Sequence, residues 1–429
     1  MYAISPPAVY VHESVMADPR YKQRMERVVA GCANEPPVTV FTDDDLPAMI
    51  EKKGLLDYCV PMGTVDEMPD PILVFNTFRF DGRFDQRKQW LLDRGHDLGG
   101  HTRDALLGYG PFRWFEVDTK ERLCRTCWRL HFQTGCVHRC QYCGLGGVLV
   151  TMVNVEDYLE QLDRLIELHP WQETYLLEDD ADIPGLEPEL GCLGPIIEHF
   201  GRYDDKYLII HTKTGHTEWM DGLDHNGKTI VVWSVSGDTQ ARVLEPVAGR
   251  TAERIAAAAH AEALGYIVRY KFKPIVPVKG WREDAREAVK LLFERTHPDV
   301  ISLCVFMWTP IEATLERLGE ENLDESFVAA AREAAESMGD SRMRPFPEEK
   351  RAEIYEFYID EIRKYDAEVP ISISTESPEM WGRLSEKLGA TAMNYVCGCG
   401  PNATPHRKRL ECNPIAVAAD GPQGGMEAL

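Results

Sequence analysis

Residues 135–147 read Gly-Cys-Val-His-Arg-Cys-Gln-Tyr-Cys-Gly-Leu-Gly-Gly, and this run decides how the chain of 429 residues is interpreted. Its three cysteines, Cys136, Cys140 and Cys143, have the spacing C-x3-C-x2-C. Thiolates this close together, followed by small residues that let the backbone approach, suit an iron–sulfur cluster with three protein ligands. The fourth iron would be open to a substrate or cofactor, and we expect the chemistry to occur there.

Two other metal sites could use these cysteines, namely a zinc knuckle and a closed electron-transfer cluster. Both usually need a fourth ligand nearby. His138 lies inside the run and is the nearest residue of a ligating type. We interpret His138 as an ordinary loop side chain, because an open position is what this spacing provides.

Composition indicates an ordinary globular protein without a membrane segment. The apolar fraction is 44% and the charged fraction is 27%. The sequence has no run of about 18 apolar residues that could span a bilayer. Its start also lacks the basic and then apolar segments of a signal peptide. The sequence therefore predicts a cytoplasmic protein with no membrane partner.

The charge balance is strongly acidic. The chain has 70 acidic and 47 basic residues, which give a net charge of −23. The phosphate backbone of a nucleic acid would meet a repulsive average field. We therefore expect duplex DNA to be an unlikely partner, and a small molecule or peptide with anionic groups to be the substrate.

Apolar strand candidates alternate with helical segments, which predicts an α/β fold. Residues 1–117 have a β-α-β-α-β order, typical of a Rossmann-like N-terminal module. Residues 118–376 have six strand candidates with intervening helices, typical of a partial (β/α)6 barrel. These six candidates span residues 129–132, 173–178, 207–212, 229–236, 266–275 and 300–308. Residues 377–429 form a cysteine-containing extension, whose end from residue 416 is predicted to be a disordered tail.

The cysteine run has an aromatic residue, Tyr142, before its last cysteine and follows the first strand of the predicted barrel. In these features the chain resembles the radical S-adenosylmethionine (SAM) enzymes. The resemblance implies a [4Fe-4S] cluster on the three cysteines, with SAM on the open iron and Tyr142 beside its adenine. It also implies that SAM is cleaved reductively to a 5′-deoxyadenosyl radical, which abstracts hydrogen from a substrate. The electron would come from a reductant such as flavodoxin or ferredoxin.

Segments within residues 5 to 310 are similar, in order, to the spore photoproduct lyase branch of these enzymes. They include Thr-Lys-Thr-Gly-His-Thr-Glu-Trp at 212–219, His-Asn-Gly-Lys-Thr at 225–229, Trp-Ser-Val-Ser at 233–236 and Leu-Glu-Pro at 244–246. The resemblance implies that Lys213 contacts the SAM carboxylate and that Ser234 or Ser236 contacts SAM. Ordinary strand polarity is the alternative interpretation of both serines.

The second predicted barrel strand ends in the acidic run Glu-Asp-Asp-Ala-Asp at 178–182. Many radical SAM enzymes bind the methionine ammonium with an acidic residue at this place, and a carboxylate there would pair with that cation. Glu178 is the favoured candidate, with Asp180 behind it. Because one ammonium does not need four acids, Asp180 is also a candidate to bind the substrate.

One position departs from the lyase pattern. Photoproduct lyases place a cysteine at this strand end to return a hydrogen atom to the product radical, but the alignment puts Ala181 there. Cys192 lies further along the chain, and nothing in its sequence context favours it as a substitute. The resemblance therefore leaves the repair chemistry in doubt.

A second group of cysteines stands near the two ends of the predicted barrel: Cys124, Cys127, Cys397, Cys399 and Cys412. Five thiols can supply a site with four ligands. We expect an auxiliary [4Fe-4S] cluster that ties the extension to the entry of the first barrel strand. Zinc is the close alternative, since C-x2-C with a distant cysteine pair is also a zinc pattern. Free thiols, with no metal bound, are the third interpretation.

Arg269, Lys271 and Lys273 alternate along the fifth barrel strand and so project to one face. Three cations would be costly in an apolar layer, which predicts that they face the barrel mouth or interior. Arg269 and Lys271 are the candidates for substrate binding.

The sequence thus predicts a radical SAM enzyme of lyase or oxidoreductase type, similar to spore photoproduct lyase but with a different substrate. Two alternatives stay open: a DNA repair lyase like the family, and a non-catalytic iron–sulfur protein for electron transfer. The sequence assigns no catalytic residue beyond those that hold the cofactors.

Overall fold

The computed structural model describes residues 1–51, 70–95, 100–116, 121–145 and 147–411. Cys59, Cys412 and the predicted tail lie outside these residues. Within the described ranges, no helix has both the length and the apolar character needed to cross a lipid bilayer.

The strands of the described residues form two sheets, and most of them are buried. Strands such as β3 and β7 are buried along their whole length, which explains their continuous apolar sequences. The strands are β1 (Val9–His12), β2 (Val38–Phe41), β3 (Ile72–Asn76), β4 (Phe112–Phe115), β5 (Cys127–Leu130), β6 (Gln133–Thr134), β7 (Val148–Met152), β8 (Thr174–Leu177), β9 (Tyr207–Thr212), β10 (Thr229–Val235), β11 (Ile267–Ile275), β12 (Ile301–Val305) and β13 (Ile371–Ile373).

Helices connect most of the parallel strands. The α-helices are α1 (Glu13–Met16), α2 (Pro19–Ala30), α3 (Leu46–Glu51), α4 (Phe84–Leu92), α5 (Gly100–Leu106), α6 (Val155–Leu168), α7 (Leu193–Phe200), α8 (Asp238–Leu244), α9 (Thr251–Ala263), α10 (Trp281–Arg295), α11 (Ile311–Leu318), α12 (Glu325–Met338), α13 (Glu348–Arg363) and α14 (Pro378–Leu388). Short 3-10 turns span Asp43–Asp45, Ile183–Leu186, Glu218–Met220 and Glu320–Asn322.

Local sequence signals explain where several helices begin and end. The side chain of Ser377 accepts a hydrogen bond from the Met380 N–H at the start of α14, and Gly389 ends that helix with a φ of 69°. Helix α9 begins without a hydroxyl cap. Instead, the Thr251 hydroxyl donates to the Ser236 carbonyl, and the Glu253 carboxylate accepts from the Arg250 N–H.

The second sheet confirms the predicted partial barrel. Its order is β13-β12-β11-β10-β9-β8-β5-β4, so its two edge strands, β13 and β4, come from opposite ends of the chain segment and the sheet does not close. All neighbours pair in parallel except β4 and β5. Six of the strands, β5 and β8 to β12, correspond to the six barrel strands predicted from the sequence.

The first sheet crosses the division predicted at residue 117. Its order is β2-β1-β3-β7-β6, so it contains two strands that follow residue 117. Conversely, β4 precedes residue 117 and joins the second sheet. The sequence prediction missed β4, β6 and β7, because short strands are assigned to a sheet by long-range pairing, such as Ile72 with Val148, and not by their own pattern. The predicted division at residue 117 therefore does not coincide with the boundary between the two sheets.

One face of the second sheet, here called the inner face, carries the residues of interest. Near the amino ends of the strands it has a small apolar cluster, which contains Leu176, Ile209, Ile230 and Val232 and packs against Cys399. By the period of two along a strand, the inner face continues towards the carboxyl ends. It presents there His211, Ser234, Lys271 and Lys273.

Residues 395–403, here called the C-terminal segment, lie against the amino-end half of the inner face. The N–H groups of Glu173 and Thr174 both donate to the Pro401 carbonyl, at 2.9 Å. The Gly398 N–H donates to the Ser302 hydroxyl at 3.0 Å. The segment thus fills one end of the partial barrel and leaves the carboxyl end open.

Candidate active site on the inner face of the second sheet

The cysteine run forms the loop between β6 and β7, apart from Gly146, which lies outside the described residues. Gly135 begins the loop with a φ of 92°, and a Cβ atom there would lie 2.2 Å from the Val148 carbonyl oxygen. Only glycine satisfies both conditions. The Gly135 N–H donates to the Asp180 carbonyl at 3.1 Å, which holds the loop against the carboxyl end of β8.

The three loop cysteines, Cys136, Cys140 and Cys143, line one cavity. Burial raises the pKa of all three thiols, that of Cys140 to about 12. Thiols in this environment need a nearby cation to ionise, and the iron ions of a cluster would supply it. The backbone N–H groups of His138 and Leu145 donate to the sulfurs of Cys136 and Cys143, at 3.5 and 3.4 Å.

The sulfur atoms of the loop do not form the compact group that a single metal ion needs. Among the described residues, no three cysteine sulfurs lie within 4.8 Å of one another. A zinc ion with Zn–S distances of about 2.3 Å would draw its sulfurs to within about 4 Å of one another. The donor set and its spacing therefore suit the [4Fe-4S] cluster that the sequence predicts for this loop.

The His138 ring is hydrogen-bonded to a carboxylate just after the end of β8. Its Nε2 lies 2.8 Å from Asp182 Oδ2, and its ring packs edge to face against Tyr2 at a centroid distance of 4.9 Å. This arrangement supports the interpretation of His138 as a loop side chain and not as a fourth ligand.

A network of four polar groups, two of them fully buried, lies beside the cysteines. Lys213 Nζ donates to the Tyr142 hydroxyl at 2.6 Å and lies 3.4 Å from Glu245 Oε1. The Tyr142 hydroxyl and the Arg254 guanidinium both donate to the Glu245 carboxylate. Burial alone would raise the pKa of Glu245, but the charges of Arg254 and Lys213 hold it below its usual range.

The carboxylates of the acidic run at the end of β8 contact different groups of the protein. Glu178 is buried with a φ of 65°, and its Oε1 accepts from the N–H groups of Phe132 and Gln133. Asp180 pairs with Arg113 at 3.0 Å and with His101 at 2.6 Å, and it does not line the cavity. Each of the two carboxylates thus already has a partner within the protein.

Asp182, which the sequence prediction did not single out, holds the strand ends together. Its Oδ1 accepts from the Thr212 hydroxyl at 2.9 Å, and its Oδ2 accepts from the Lys213 N–H at 2.6 Å. The same carboxylate holds His138. Asp182 thereby fixes both the cysteine loop and the backbone of Lys213. The only sequence signal was its place in the acidic run.

The three cations of β11 divide between the two ends of the inner face. Lys271 and Lys273 line the cavity, and burial lowers the pKa of Lys271. Arg269 does not line it. Its guanidinium is fully buried, pairs with Asp299 at 2.7 Å and donates to the Ala403 carbonyl at 2.7 Å. The structure thus assigns Arg269, a predicted substrate ligand, to holding the C-terminal segment.

The cavity has a volume of about 490 Å³ and lies between the cysteine loop and the carboxyl ends of the strands. Ser234 lines it, whereas the Ser236 hydroxyl donates to Glu245 at 3.2 Å behind it. The lining includes the cysteine triplet with His138, Tyr142, Glu178, Asp179, Asp182, His211, Lys213, Ser234, Lys271, Lys273, Met307, Trp308 and Arg317.

A second cleft, of about 680 Å³, lies at the carboxyl ends of β1 and β2 in the first sheet. Its lining contains Asp43, Arg79, Asp81 and Arg87. These charges pair with one another, as Arg79 with Asp43 at 2.6 Å and Arg87 with Asp81 at 2.7 Å. None of the ten cysteines that the structure describes lines this cleft, so the smaller cavity is the candidate active site.

The remaining predicted cysteine ligands lie elsewhere. Cys124 and Cys127 precede and begin β5, and Cys397 and Cys399 belong to the C-terminal segment. Cys412 is outside the described residues. Cys192 is fully buried beside the start of α7 and does not line the cavity.

Residues 123–307 match the model of the spore photoproduct lyase family. The spore photoproduct lyase of Bacillus subtilis (strain 168) is 33% identical over 171 residues, which are 38% of this chain and 49% of that protein. That of Geobacillus sp. (strain Y412MC61) is 29% identical over 157 residues, 35% of this chain and 46% of that protein. The chain thus spans about half the length of the curated relatives it matches.

The similarity in fold extends further than the similarity in sequence. A solved structure of a spore photoproduct lyase variant with bound AdoMet and dinucleoside spore photoproduct covers 86% of this chain and 98% of its own, with a TM-score of 0.60 at 17% identity. A complex of spore photoproduct lyase with dinucleoside spore photoproduct has a TM-score of 0.61 at 16% identity and the same coverage.

These relatives correct the expected partners. The prediction of a small-molecule or peptide substrate, with duplex DNA unlikely, is wrong, because the similar lyases are solved with a dinucleoside spore photoproduct. The prediction relied on the average field of a chain with net charge −23. Local charge decides binding, and the cavity wall gathers Lys213, Lys271 and Lys273.

Family model, curated relatives and fold agree with the sequence motifs on which the resemblance was based. The predicted partial barrel is confirmed, and so is the predicted resemblance. Over residues 123–307 the chain is similar to spore photoproduct lyase, and it shares the fold of the solved lyase structures.

Proposed function

We propose that this chain is a radical SAM lyase that acts on a spore photoproduct type of DNA lesion. The single observation that carries the proposal is that one cavity brings together the cysteine triplet, the Tyr142–Lys213 pair and a cationic wall. When bound, a [4Fe-4S] cluster and SAM would supply the 5′-deoxyadenosyl radical that abstracts hydrogen from the substrate. The residues of the chain would bind and orient the reactants and exclude water.

Lys213 and Ser234 are the proposed contacts for SAM. Both line the cavity next to the cysteine loop, and the Lys213 ammonium is already held at 2.6 Å from the Tyr142 hydroxyl. An ammonium is the group expected to pair with the SAM carboxylate. Tyr142 is proposed to lie beside the adenine. Ser236 would act through Glu245, to which its hydroxyl donates.

Glu178 remains the proposed partner of the methionine ammonium, although two backbone N–H groups share its Oε1. Its Oε2 lies 3.3 Å from His131 Nδ1. A carboxylate fixed in this way keeps lone pairs for a further donor. The backbone contacts would orient the group.

The far wall of the cavity is proposed to bind the lesion. Lys271 and Lys273 can contact phosphate or polar edges of a nucleotide, and Trp308, which is 41% exposed, offers an aromatic face for stacking with a base. Enzymes that act on a base take it out of the duplex into such a pocket. The lesion would therefore have to leave the base stack before it reached the cysteines.

The return of a hydrogen atom to the product would not use the side chain at 181. Ala181 lines the cavity and has no transferable hydrogen of the thiol type. Among the described residues that line the cavity, the thiols are those of the cysteine loop itself. The final hydrogen transfer must therefore differ in its donor from a lyase with a cysteine at this strand end.

The proposal is tested with the anaerobically reconstituted protein, SAM, dithionite and dinucleoside spore photoproduct. We expect the dinucleoside to be consumed and two separate nucleosides to appear, both resolved by chromatography. Trp308→Ala should reduce turnover by about 5- to 150-fold, since base stacking is worth about 1–3 kcal/mol. Trp90→Ala, in the other cleft, is the control and should keep wild-type turnover. An unchanged dinucleoside with active SAM cleavage would refute the proposed substrate.

A further inference from the structure

Four cysteines from distant parts of the chain converge where β5 meets the C-terminal segment. Contacts on both sides of each pair fix this meeting. The Leu123 N–H donates to the Glu376 carbonyl at 2.7 Å, and the Arg125 guanidinium donates to the Ala392 carbonyl at 3.1 Å. The same guanidinium lies 3.9 Å from the centre of the Tyr395 ring. The residues that flank the cysteines are thus held before any metal binds.

The thiols of these cysteines lie near one another. Cys127 is fully buried and within electrostatic range of Cys124 and Cys399. Cys397 contacts Cys399 and is within range of Cys124. A chain rarely gathers four thiols from two ends without a disulfide or a metal, and all four are free.

Glycines around the pair leave room for the sulfurs. A Cβ atom on Gly400 would lie 2.9 Å from Cys397 Sγ and 3.6 Å from Arg125 Cγ. A Cβ atom on Gly398 would lie 3.3 Å from the Ser302 hydroxyl. Both glycines let the backbone of the segment pack closely behind the thiols.

The spacing of the sulfurs selects the kind of metal site. No three of these sulfurs lie within 4.8 Å of one another among the residues that the structure describes, whereas a zinc ion would require about 4 Å. The cysteine triplet of the loop likewise forms no group that compact. A four-iron cubane holds its ligands on separate corners and does not need all of its sulfurs that close together.

Cations surround the four thiols, as an anionic cluster with four thiolates requires. Lys271 Nζ lies 3.9 Å from Cys399 Sγ, and the Arg269 guanidinium reaches the Gly398 carbonyl at 3.4 Å. Arg125 packs on the Tyr395 ring, two residues before Cys397. Hydrogen bonds and charges near the sulfurs are what tune and stabilise such clusters.

We propose that Cys124, Cys127, Cys397 and Cys399 bind a second [4Fe-4S] cluster, which closes the amino end of the partial barrel. With four protein ligands this cluster has no open iron and does not bind SAM. Lys271 separates it from the candidate active site, since its ammonium contacts Cys399 while the side chain lines the cavity. Cys412 is not needed as a ligand.

The test is anaerobic reconstitution with iron and sulfide, followed by counts of iron and sulfide per chain and by electron paramagnetic resonance after reduction. The wild type should hold about eight irons. The Cys136→Ala/Cys140→Ala/Cys143→Ala variant should keep about four, as should Cys397→Ala/Cys399→Ala. SAM should perturb only the signal that the first variant lacks, which separates this proposal from the proposed function.

The matched control is Cys32→Ser, because this half-buried thiol lies just after α2 and donates to the Val28 carbonyl of that helix. It should keep about eight irons. The proposal is refuted if the triple variant holds fewer than about one iron, or if the wild type and Cys397→Ala/Cys399→Ala hold the same number. About one zinc per chain, lost on mutation of Cys397 and Cys399, would refute it in favour of a zinc site.

Discussion

Single residues decide whether the cysteine loop can form. Gly135 has the backbone conformation that side chains rarely adopt, and it touches the Val148 carbonyl where β7 begins. Asp182 ties the loop to the strand ends through His138 and the Lys213 N–H. The cysteines alone therefore do not make the site, because their geometry depends on a glycine and an acid.

Gly135→Ala should destabilise the loop. Its Cβ atom would clash with the Val148 carbonyl, and the positive φ alone costs about 1–3 kcal/mol. We expect a loss of at least about 2 kcal/mol in the free energy of unfolding and reduced iron at the triplet. Gly144→Ala is the control in the same loop, since no atom lies within 4 Å of its Cβ position. Equal iron contents in the two variants would contradict the role of Gly135.

Asp180 should make stability depend on pH. Burial opposes its ionisation, but His101 and Arg113 outweigh burial and lower its pKa to about 2 from 3.8. Because the folded pKa is lower, the stabilisation is present above about pH 4 and is lost as the pH falls towards 2. Asp180→Asn should cost about 2 kcal/mol at pH 7, and the difference from wild type should vanish near pH 2.

The measurement for Asp180 is urea unfolding of the wild type and the variant at a series of pH values. Asp205→Asn is the control, because the Asp205 side chain is 72% exposed and its pair with Lys206 is worth about 0–1 kcal/mol. A difference for Asp180→Asn that stays constant from pH 7 to pH 2 would show that its charge is not the cause.

The sequence predicts the secondary-structure elements better than it predicts which elements pair with one another. The six barrel strands and helices α9, α10 and α14 could be predicted, because their apolar periodicity and glycine stops are local signals. β6 has two residues and carries no such signal, whereas β7 is an apolar run whose place in the first sheet follows only from its pairing with β3. The triplet was predicted by spacing alone. Glu245 and Arg254 were not, because a buried ion pair becomes visible only when distant elements meet.

The C-terminal segment is an element held mainly by buried polar groups. Arg269 pairs with Asp299 and donates to the carbonyls of Gly398 and Ala403. Arg269→Met should cost about 3–5 kcal/mol, because it removes the charge partner of the Asp299 carboxylate and the donor to two carbonyls. Arg332→Met, on the surface, should cost less than about 1 kcal/mol.

Limited proteolysis and thermal unfolding check this prediction. The Arg269→Met variant should be cleaved within residues 391–411 faster than the Arg332→Met control. Unchanged cleavage of the variant would mean that other contacts, such as those of Pro401, suffice to hold the segment.

The whole molecule combines an acidic surface with a cationic cavity. A net charge of −23 disfavours unspecific contact with nucleic acid, while Lys213, Lys271 and Lys273 concentrate positive charge beside the cysteine loop. Such a distribution favours a ligand that enters the cavity over a duplex that lies on the surface. The selectivity for a lesion would then come from the need to leave the base stack.

Lys271→Met/Lys273→Met should weaken binding of a single-stranded oligonucleotide that contains the photoproduct. For every phosphate that no longer pairs with a lysine, the slope of log affinity against log salt should fall by about 0.7. Titrations by fluorescence anisotropy between low and physiological salt give this slope. Lys22→Met, on exposed helix α2, is the control and should leave it unchanged. Equal slopes for both variants would show that the cavity lysines do not contact the oligonucleotide.

The most direct measurement is formation of 5′-deoxyadenosine from SAM by the reconstituted protein under dithionite, quantified by chromatography. The wild type should form it, and the dinucleoside spore photoproduct should raise its rate. The Cys136→Ala/Cys140→Ala/Cys143→Ala variant should form none above background, although it keeps the second cluster. A wild type loaded with iron that leaves SAM intact would contradict radical SAM chemistry at this site.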